Sequence, residues 1–139
     1  MERQEVTALI AIDLSAAFDT VDHDVLLSVL NKRFGIGGQA LSWFDTYLRP
    51  RRCKVNVGSA YSEIKDLGFS VPQGSCAGPV LFLAYASTIG SVVPSDIAIH
   101  GYADDHALKT SFSPASSGGE ALALTKLSSC SLNIKAWMD

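Results

Sequence analysis

The sequence contains few cysteines, and their positions argue against two kinds of structural cross-link. Cys53, Cys76 and Cys130 are odd in number, lie far apart and form no Cys-x-x-Cys pair. Structural zinc sites draw their ligands from closely spaced pairs, and disulfide frameworks belong to oxidising compartments. The cysteines therefore predict reduced thiols, no structural zinc, and an intracellular protein of the cytoplasm or nucleus.

Long apolar segments are missing as well. The first residues, MERQEV, are charged and contain no apolar segment of the kind found in secretory signals. The most apolar run, PVLFLAYASTIGSVV at Pro79–Val93, is too short to span a bilayer. We expect a protein that is not secreted and has no membrane partner, in which this run forms a buried helix.

Basic residues are also in short supply, with 11 Lys and Arg against 14 Asp and Glu and a net charge of −3. This balance argues against a nucleic-acid surface that covers the whole protein, although it leaves room for a local groove. The one basic cluster consists of Arg49, Arg51, Arg52 and Lys54. It is either a charged strand edge that resists aggregation or a contact to phosphates, and the sequence leaves both open.

What remains is the composition of a globular domain, because 139 residues with 47% hydrophobic and 18% charged can bury a core. The apolar run Glu5–Leu14 is typical of a central strand covered on both faces. Asp22 or Asp24 can cap a following helix, and Pro50 ends a second one. Apolar residues recur at helical spacing in both helices: Leu26, Leu27, Leu30 and Phe34 in the first, and Leu41, Phe44 and Leu48 in the second. Gly35–Gly38 lacks the Lys and the strand of a phosphate loop, so we predict a helix–helix turn.

The second half of the sequence alternates strand and helix patterns. Lys54–Val57 and Ser62–Val71 predict a hairpin around a Gly-Ser turn, and residues 96–112 predict a second hairpin. Ser113–Glu120 is typical of a linker, and the residues after it predict an amphipathic helix. Strands and helices in this order indicate one α/β or α+β domain.

Three carboxylates stand at the ends of predicted strands. Asp104 and Asp105 lie in the middle of the second hairpin, where an Asp-rich polar turn is the plainer interpretation. Asp13 ends the first strand. If that strand pairs with the hairpin, Asp13 and Asp104 lie one strand spacing apart and need a cation between them. Oxygen ligands without His or Cys suit Mg²⁺ or Mn²⁺. We expect the side chains of His100 and His106 to point away from the acids, either onto a hydrophobic face or into solvent.

Three blocks of the sequence together resemble a known family. AIDLSAAFDTVDHDVLLSVL, SVPQGSCAGPVLF and YADD occur in the order and spacing of the reverse transcriptase domain encoded by non-LTR (LINE-like) retrotransposons. The resemblance implies an α+β fold: a polymerase palm-type (ferredoxin-like) antiparallel sheet with helices on one face, partial fingers and no thumb. It implies an RNA-directed DNA polymerase that transfers a nucleotide from a dNTP to a primer 3′-OH on an RNA or DNA template.

The resemblance also assigns the metal ligands. Asp13 matches the acid of the first palm motif, and Asp104 with Asp105 match the acidic pair of the third. Together they would hold two Mg²⁺ or Mn²⁺ ions, with Asp105 the less direct ligand. Tyr102 would lie behind the acids, near the primer end.

The substrate-binding residues follow from the same motifs. Phe18 matches the aromatic steric gate that excludes a 2′-OH, although it could equally be a core residue. The backbone amides around Ala16 and Ala17 would face the triphosphate. Gln73 and Gly74 match the motif that lines the nascent base pair, while the plainer interpretation of PQG is a turn before a helix.

The expected lack of a thumb and of part of the fingers leaves other functions open. We expect residues 1–139 to be a palm-centred domain with part of the fingers, truncated at both ends and cut from a longer polyprotein. The alternatives are an inactive retrotransposon relic or, less favoured, another palm-fold nucleotidyl enzyme such as a cyclase. We expect no useful polymerisation by the chain alone, and an exposed apolar patch on its last helix formed by Leu122, Leu124, Leu127, Leu132, Ile134 and Trp137.

Overall fold

The structure of the protein is a computed structural model that describes residues 5–138. Its elements are β1 (Val6–Asp13), α1 (His23–Phe34), α2 (Gly38–Leu48), β2 (Arg51–Cys53), β3 (Asn56–Val57), β4 (Ala60–Tyr61), β5 (Lys65–Leu67), α3 (Gly78–Ala86), β6 (Ala98–Tyr102), β7 (Asp105–Phe112) and α4 (Gly119–Met138). A 3₁₀ helix, Ser87–Val92, follows α3. The first unit of the fold comprises the described residues up to Ser15 and from Ala86 onward, and the second is Ala16–Tyr85. Helices and antiparallel sheets together make an α+β fold.

The first unit contains a three-stranded antiparallel sheet in the order β1-β7-β6. Side chains of β7 alternate between buried and exposed, as expected for a strand with one covered face. Leu108 on the covered face packs with Leu127, Cys130 and Ile134 of α4, and Ile97 and Ile89 complete this core. Burial raises the pKa of the Cys130 thiol, and all three cysteines are free.

The prediction that the first strand is central and doubly covered is wrong. Within residues 5–138, β1 pairs only with β7 and therefore forms an edge of the sheet. Ala8, Ile10 and Ile12 pack against the core, whereas Leu9 is 61% exposed on the opposite face. The long β7 takes the central position because β1 and β6 both pair with it.

The second unit begins with the two predicted helices. Asp22 caps α1 by accepting a hydrogen bond from the amide of Val25 at 2.9 Å, so the capping prediction is confirmed for the first of the two candidate residues. Gly35 ends α1 in the left-handed conformation (φ 68°), which a residue without Cβ adopts at little cost. The stretch between α1 and α2 is the predicted helix–helix turn.

The predicted first hairpin forms in two short ladders. β3 and β4 pair around Gly58 and Ser59, and β2 pairs with β5 further out. Each of the four residues of the basic cluster has a partner in this unit. Arg49 pairs with Asp24 at 2.7 Å and with Asp45, and Arg52 pairs with Asp66 at 2.9 Å. Arg51 donates to the Ser70 carbonyl at 3.1 Å, and the Lys54 ammonium lies 4.2 Å from the centre of the Tyr61 ring. These partners favour the strand-edge interpretation of the basic cluster over a phosphate contact.

The apolar run that predicted a buried helix is buried on one side only. Leu81 and Phe82 of α3 are buried, whereas Val80 and Leu83 are 66% and 55% exposed. The prediction of a buried helix is therefore confirmed for one side of α3 only. Within residues 5–138, none of the helices combines the length and hydropathy that crossing a bilayer requires.

The last helix agrees with its prediction in part. The predicted linker runs to Glu120, but α4 begins at Gly119, so the last two residues of the linker belong to the helix. Of the six residues expected to form an exposed patch, Leu122, Leu124 and Leu132 are exposed. Leu127 and Ile134 are instead buried against the sheet, and the Trp137 indole N–H donates to Thr88 Oγ at 3.0 Å.

Candidate functional site

The predicted acidic residues meet at one end of the three-stranded sheet. Asp13 is the last residue of β1 and Asp105 is the first of β7, and the two lie directly opposite each other across the antiparallel ladder. Tyr102, the last residue of β6, lies opposite Asp105 on its other side. Directly opposed residues place their side chains on the same face, so all three side chains share the face that α4 leaves open.

A cavity of about 460 Å³ lies over this end of the sheet. Asp13, Asp105, Tyr102 and His100 line it, together with the small side chains of Ala11 and Ala107. Tyr102 is 84% exposed. The acids therefore lie at an accessible concave surface with a floor of alanines, where a ligand can approach the backbone closely.

The register corrects one detail of the sequence prediction. Asp105, rather than Asp104, lies opposite Asp13. Asp104 lies in the turn between β6 and β7, and its carbonyl oxygen accepts the amide of Leu14 at 3.4 Å. The predicted pairing was out by one residue because Ala103 and Asp104 form the turn itself, with Ala103 in a left-handed conformation (φ 54°).

The acids are not neutralised by neighbouring cations. None of the ion pairs within residues 5–138 includes Asp13, Asp104 or Asp105. In the same residues, no group of three or more His, Cys, Asp or Glu side chains is arranged to hold a metal ion. Asp13 and Asp105 offer two carboxylates on one open face, and such oxygen donors fit a hard divalent cation that takes its remaining oxygens from water or a ligand.

The two histidines beside the acids lie on opposite faces. His106 is 8% exposed on the covered face, the first of the two predicted environments, and its Nδ1 lies 3.1 Å from the Asp104 carbonyl oxygen. His100 is exposed to solvent, the second predicted environment, and lines the same cavity as the acids. Strand alternation explains both positions, because His100 has the same parity along β6 as Tyr102.

In the second unit, the predicted triphosphate-binding segment is a tight turn. Ala16 has φ 55°, and its carbonyl accepts the amides of Asp19 and Thr20 at 2.8 and 3.2 Å. Among the residues that the structure describes, no acceptor is bonded to the amides of Ala16, Ala17 or Phe18. Of the three residues, Ala16 is exposed, Phe18 is half-buried and Ala17 is buried.

Phe18 is half-buried and stacks on Phe82 of α3, with ring centroids 5.1 Å apart. Gly78 lies close by, since a Cβ built there would be 3.6 Å from the Phe18 ring. The ring is thus packed in the second unit on one side and accessible on the other, which suits both interpretations of this residue.

Gln73 and Gly74 form an exposed turn that leads into α3. Gly74 has φ 76°, and Ser75 Oγ closes the turn by donating to the Pro72 carbonyl at 2.7 Å and accepting the amide of Gly78 at 2.9 Å. The prediction of a turn before a helix is confirmed.

The segment between β5 and this turn is held by contacts of His23 and Arg51 that the sequence did not predict. The carbonyl of Ser70 is 2.7 Å from His23 Nε2 and accepts the Arg51 guanidinium at 3.1 Å. His23 is buried, and its position directly after a capping Asp is the signal that could have identified it. These bonds hold Ser70 at φ 87°, two residues before Pro72.

The sequence matches the profile of a family described as reverse transcriptase (RNA-dependent DNA polymerase) over residues 1–136. The chain therefore belongs to the reverse transcriptase family. It is 34% identical over 116 residues to the RNA-directed DNA polymerase from mobile element jockey of Drosophila melanogaster, a match that covers 79% of this chain and 12% of that protein. It is 32% identical over 111 residues to the probable RNA-directed DNA polymerase from transposon BS of the same organism, covering 76% and 12%.

A relative from Drosophila funebris, also an RNA-directed DNA polymerase from mobile element jockey, is 26% identical over 116 residues. The chain thus spans about 12% of the length of the relatives it matches. The resemblance to reverse transcriptases of non-LTR retrotransposons is confirmed at the level of the family.

Proposed function

We propose that the chain is the palm-type part of an RNA-directed DNA polymerase, which extends a DNA primer on an RNA or DNA template with dNTPs. The observation that carries the proposal is the register of the first unit, which places Asp13 opposite Asp105 on the open face of the sheet. Family membership supports the chemistry, and the accessible cavity beside the two acids supports access for a nucleotide.

Asp13 and Asp105 would hold divalent metal ions from opposite sides, with Asp104 at the turn beside them. Mg²⁺ or Mn²⁺, two ions in this proposal, would activate the primer hydroxyl and neutralise charge on the leaving pyrophosphate. The carboxylates suit this task because hard cations prefer oxygen ligands and accept the rest of their coordination from phosphates.

The other predicted residues would position the substrates. The unbonded amides of Ala16 and Ala17 would donate to the triphosphate of the dNTP. The ring of Phe18 would exclude a 2′-OH by its bulk, and the exposed turn of Gln73 and Gly74 would contact the nascent base pair. Tyr102 would contact the primer end.

The first experiment measures metal-dependent nucleotide binding by the 139-residue chain. Mn²⁺ with a dNTP should broaden the amide signals of Asp13 and Asp105, and Asp104→Asn should weaken this binding by about ten-fold or more because the amide cannot balance the ion's charge. Glu120→Gln, an exposed acid in the first turn of α4, is the control and should bind normally. Equal broadening in both variants would remove Asp104 from the metal site.

The second experiment measures polymerisation. This chain should replace the matched segment of the jockey polymerase, and the chimera should extend a primer on an RNA template with Mg²⁺. Asp104→Asn should abolish extension while circular dichroism remains unchanged. A chimera that binds metal and nucleotide normally but never extends the primer would identify the chain as an inactive relic.

A further inference from the structure

We infer that His106 is a positioning residue that holds the acidic turn through the carbonyl of Asp104. The inference rests on the proposed function, because what His106 holds in place is the group of acids assigned above to the metals. The side chain of His106 itself lies on the covered face of the sheet, opposite the face that carries the side chains of Asp13 and Asp105.

The contacts of His106 fix its ring from two sides. Across the ladders it lies between Ile12 of β1 and Gly101 of β6. A Cβ built at Gly101 would lie 2.7 Å from Nε2 and 2.8 Å from Cδ2 of His106, closer than real side chains approach. The imidazole therefore occupies the space above Gly101, and a side chain at this position would displace the ring. The constraint at Gly101 is steric and not conformational, since the φ of Gly101 is not in the left-handed range.

The acceptor identifies which imidazole nitrogen of His106 carries the proton. Nδ1 of His106 lies 3.1 Å from the carbonyl oxygen of Asp104, and a carbonyl oxygen only accepts, so Nδ1 carries a proton. The same oxygen accepts the amide of Leu14 at 3.4 Å. One carbonyl thus joins the acidic turn to a buried ring and to the end of β1, where Asp13 is located.

The consequence is a defined position for the turn. A polar turn at the exposed end of a hairpin is otherwise free to change conformation, because its backbone groups can bond to water. With the Asp104 carbonyl held on the covered face, Asp105 enters β7 in the register that places it opposite Asp13. His106 would therefore control the separation of the acids without contacting a metal or a substrate.

The experiment compares three substitutions of His106 in the 139-residue chain by NMR. Asn places a donor where Nδ1 is, Gln places its amide nearer to Nε2, and Leu fills space without a donor. We expect the wild-type ring to be the Nδ1–H tautomer in long-range ¹H–¹⁵N spectra at mildly alkaline pH. We expect His106→Asn to retain the slow exchange of the Leu14 amide, and His106→Leu and His106→Gln to accelerate it about five-fold, as the loss of one hydrogen bond implies.

A second pair of variants tests the contact with Gly101. Gly101→Ala should displace the ring and accelerate exchange at Leu14 to a similar degree. Gly90→Ala is the matched control, because a Cβ at Gly90 has nothing within 4 Å. Unchanged shifts for Leu127 and Ile134 would establish that each variant retains the core.

The outcomes separate this inference from the proposed function. An Nε2–H tautomer, or a folded His106→Leu variant with wild-type exchange at Leu14, would overturn the positioning role. Addition of Mn²⁺ with a dNTP tests the metal site: broadening at Asp13 and Asp105 that weakens in His106→Leu but persists in His106→Asn supports both. Absence of broadening in the wild type would refute the metal site, and the tautomer and exchange data would still decide the role of His106.

Discussion

The two units hold their candidate functional residues in different ways. In the first, Asp13, Tyr102 and Asp105 stand on strand ends, and the opposite face of the same sheet packs against α4. In the second, the segments at Ala16–Phe18 and Gln73–Gly74 are turns held by hydrogen bonds to carbonyl groups. The acids therefore depend on one ladder register and one core, whereas the two turns of the second unit depend on local bonds that can adjust separately.

A cavity in the core behind the acids should lower the free energy of unfolding more than any of the other substitutions. Leu108 is fully buried at the centre of β7, so Leu108→Ala should lower the free energy of unfolding by about 2–5 kcal/mol. Leu9→Ala, on the open face, should change it by less than about 0.5 kcal/mol. Urea denaturation followed by circular dichroism measures both, and equal losses would mean that the two faces of the sheet are not distinct.

The second prediction concerns Phe18 in the second unit. In the chimera, Phe18→Ala should raise the use of ribonucleotides relative to deoxynucleotides by about ten-fold or more, because removing a steric block favours the excluded substrate. Phe82→Ala removes the stacking partner of Phe18 and serves as the packing control. If both variants lose activity with both substrates alike, Phe18 is a packing residue only.

The third prediction uses the like charges that face each other at the sheet end. Without metal, Asp13→Asn should stabilise the chain by a few tenths of a kcal/mol, up to about 1, because opposed like charges are unfavourable. Saturating Mn²⁺ should stabilise the wild type and leave the variant unchanged. Thermal unfolding with and without Mn²⁺ measures this. A variant stabilised by Mn²⁺ as much as the wild type would contradict the site.

The smallest effect is expected from a surface ion pair in the first unit. Lys126 Nζ lies 2.6 Å from Asp96 Oδ2, and this hydrogen bond lowers the pKa of Asp96 below its ordinary value of 3.8. A lowered folded-state pKa stabilises the fold above the ordinary value, and the stabilisation is lost as pH falls through the lowered pKa. Asp96→Asn should therefore reduce stability slightly at neutral pH and match the wild type in strong acid. A difference between the two proteins that grows on acidification would refute the pairing.

Local patterns were sufficient for most elements and for the identity of the candidate site. The cap at Asp22, the end of α1 at Gly35 and the hairpin around Asp104 follow from short-range chemistry that needs no distant partner. The three motif blocks placed the chain in the reverse transcriptase family, to which it belongs. Asp13 and the acidic pair were assigned through the resemblance to the family, because the residues alone favoured an Asp-rich polar turn.

Tertiary structure decided what depends on neighbours distant in the sequence. An apolar run does not reveal how many of its faces are covered, so β1 and α3 were both predicted to be more buried than they are. The turn length set the register, and a shift of one residue exchanged Asp104 for Asp105 opposite Asp13. His106 and Gly101 become neighbours only when β6 pairs with β7, and the imidazole then lies in the space that a side chain at Gly101 would fill.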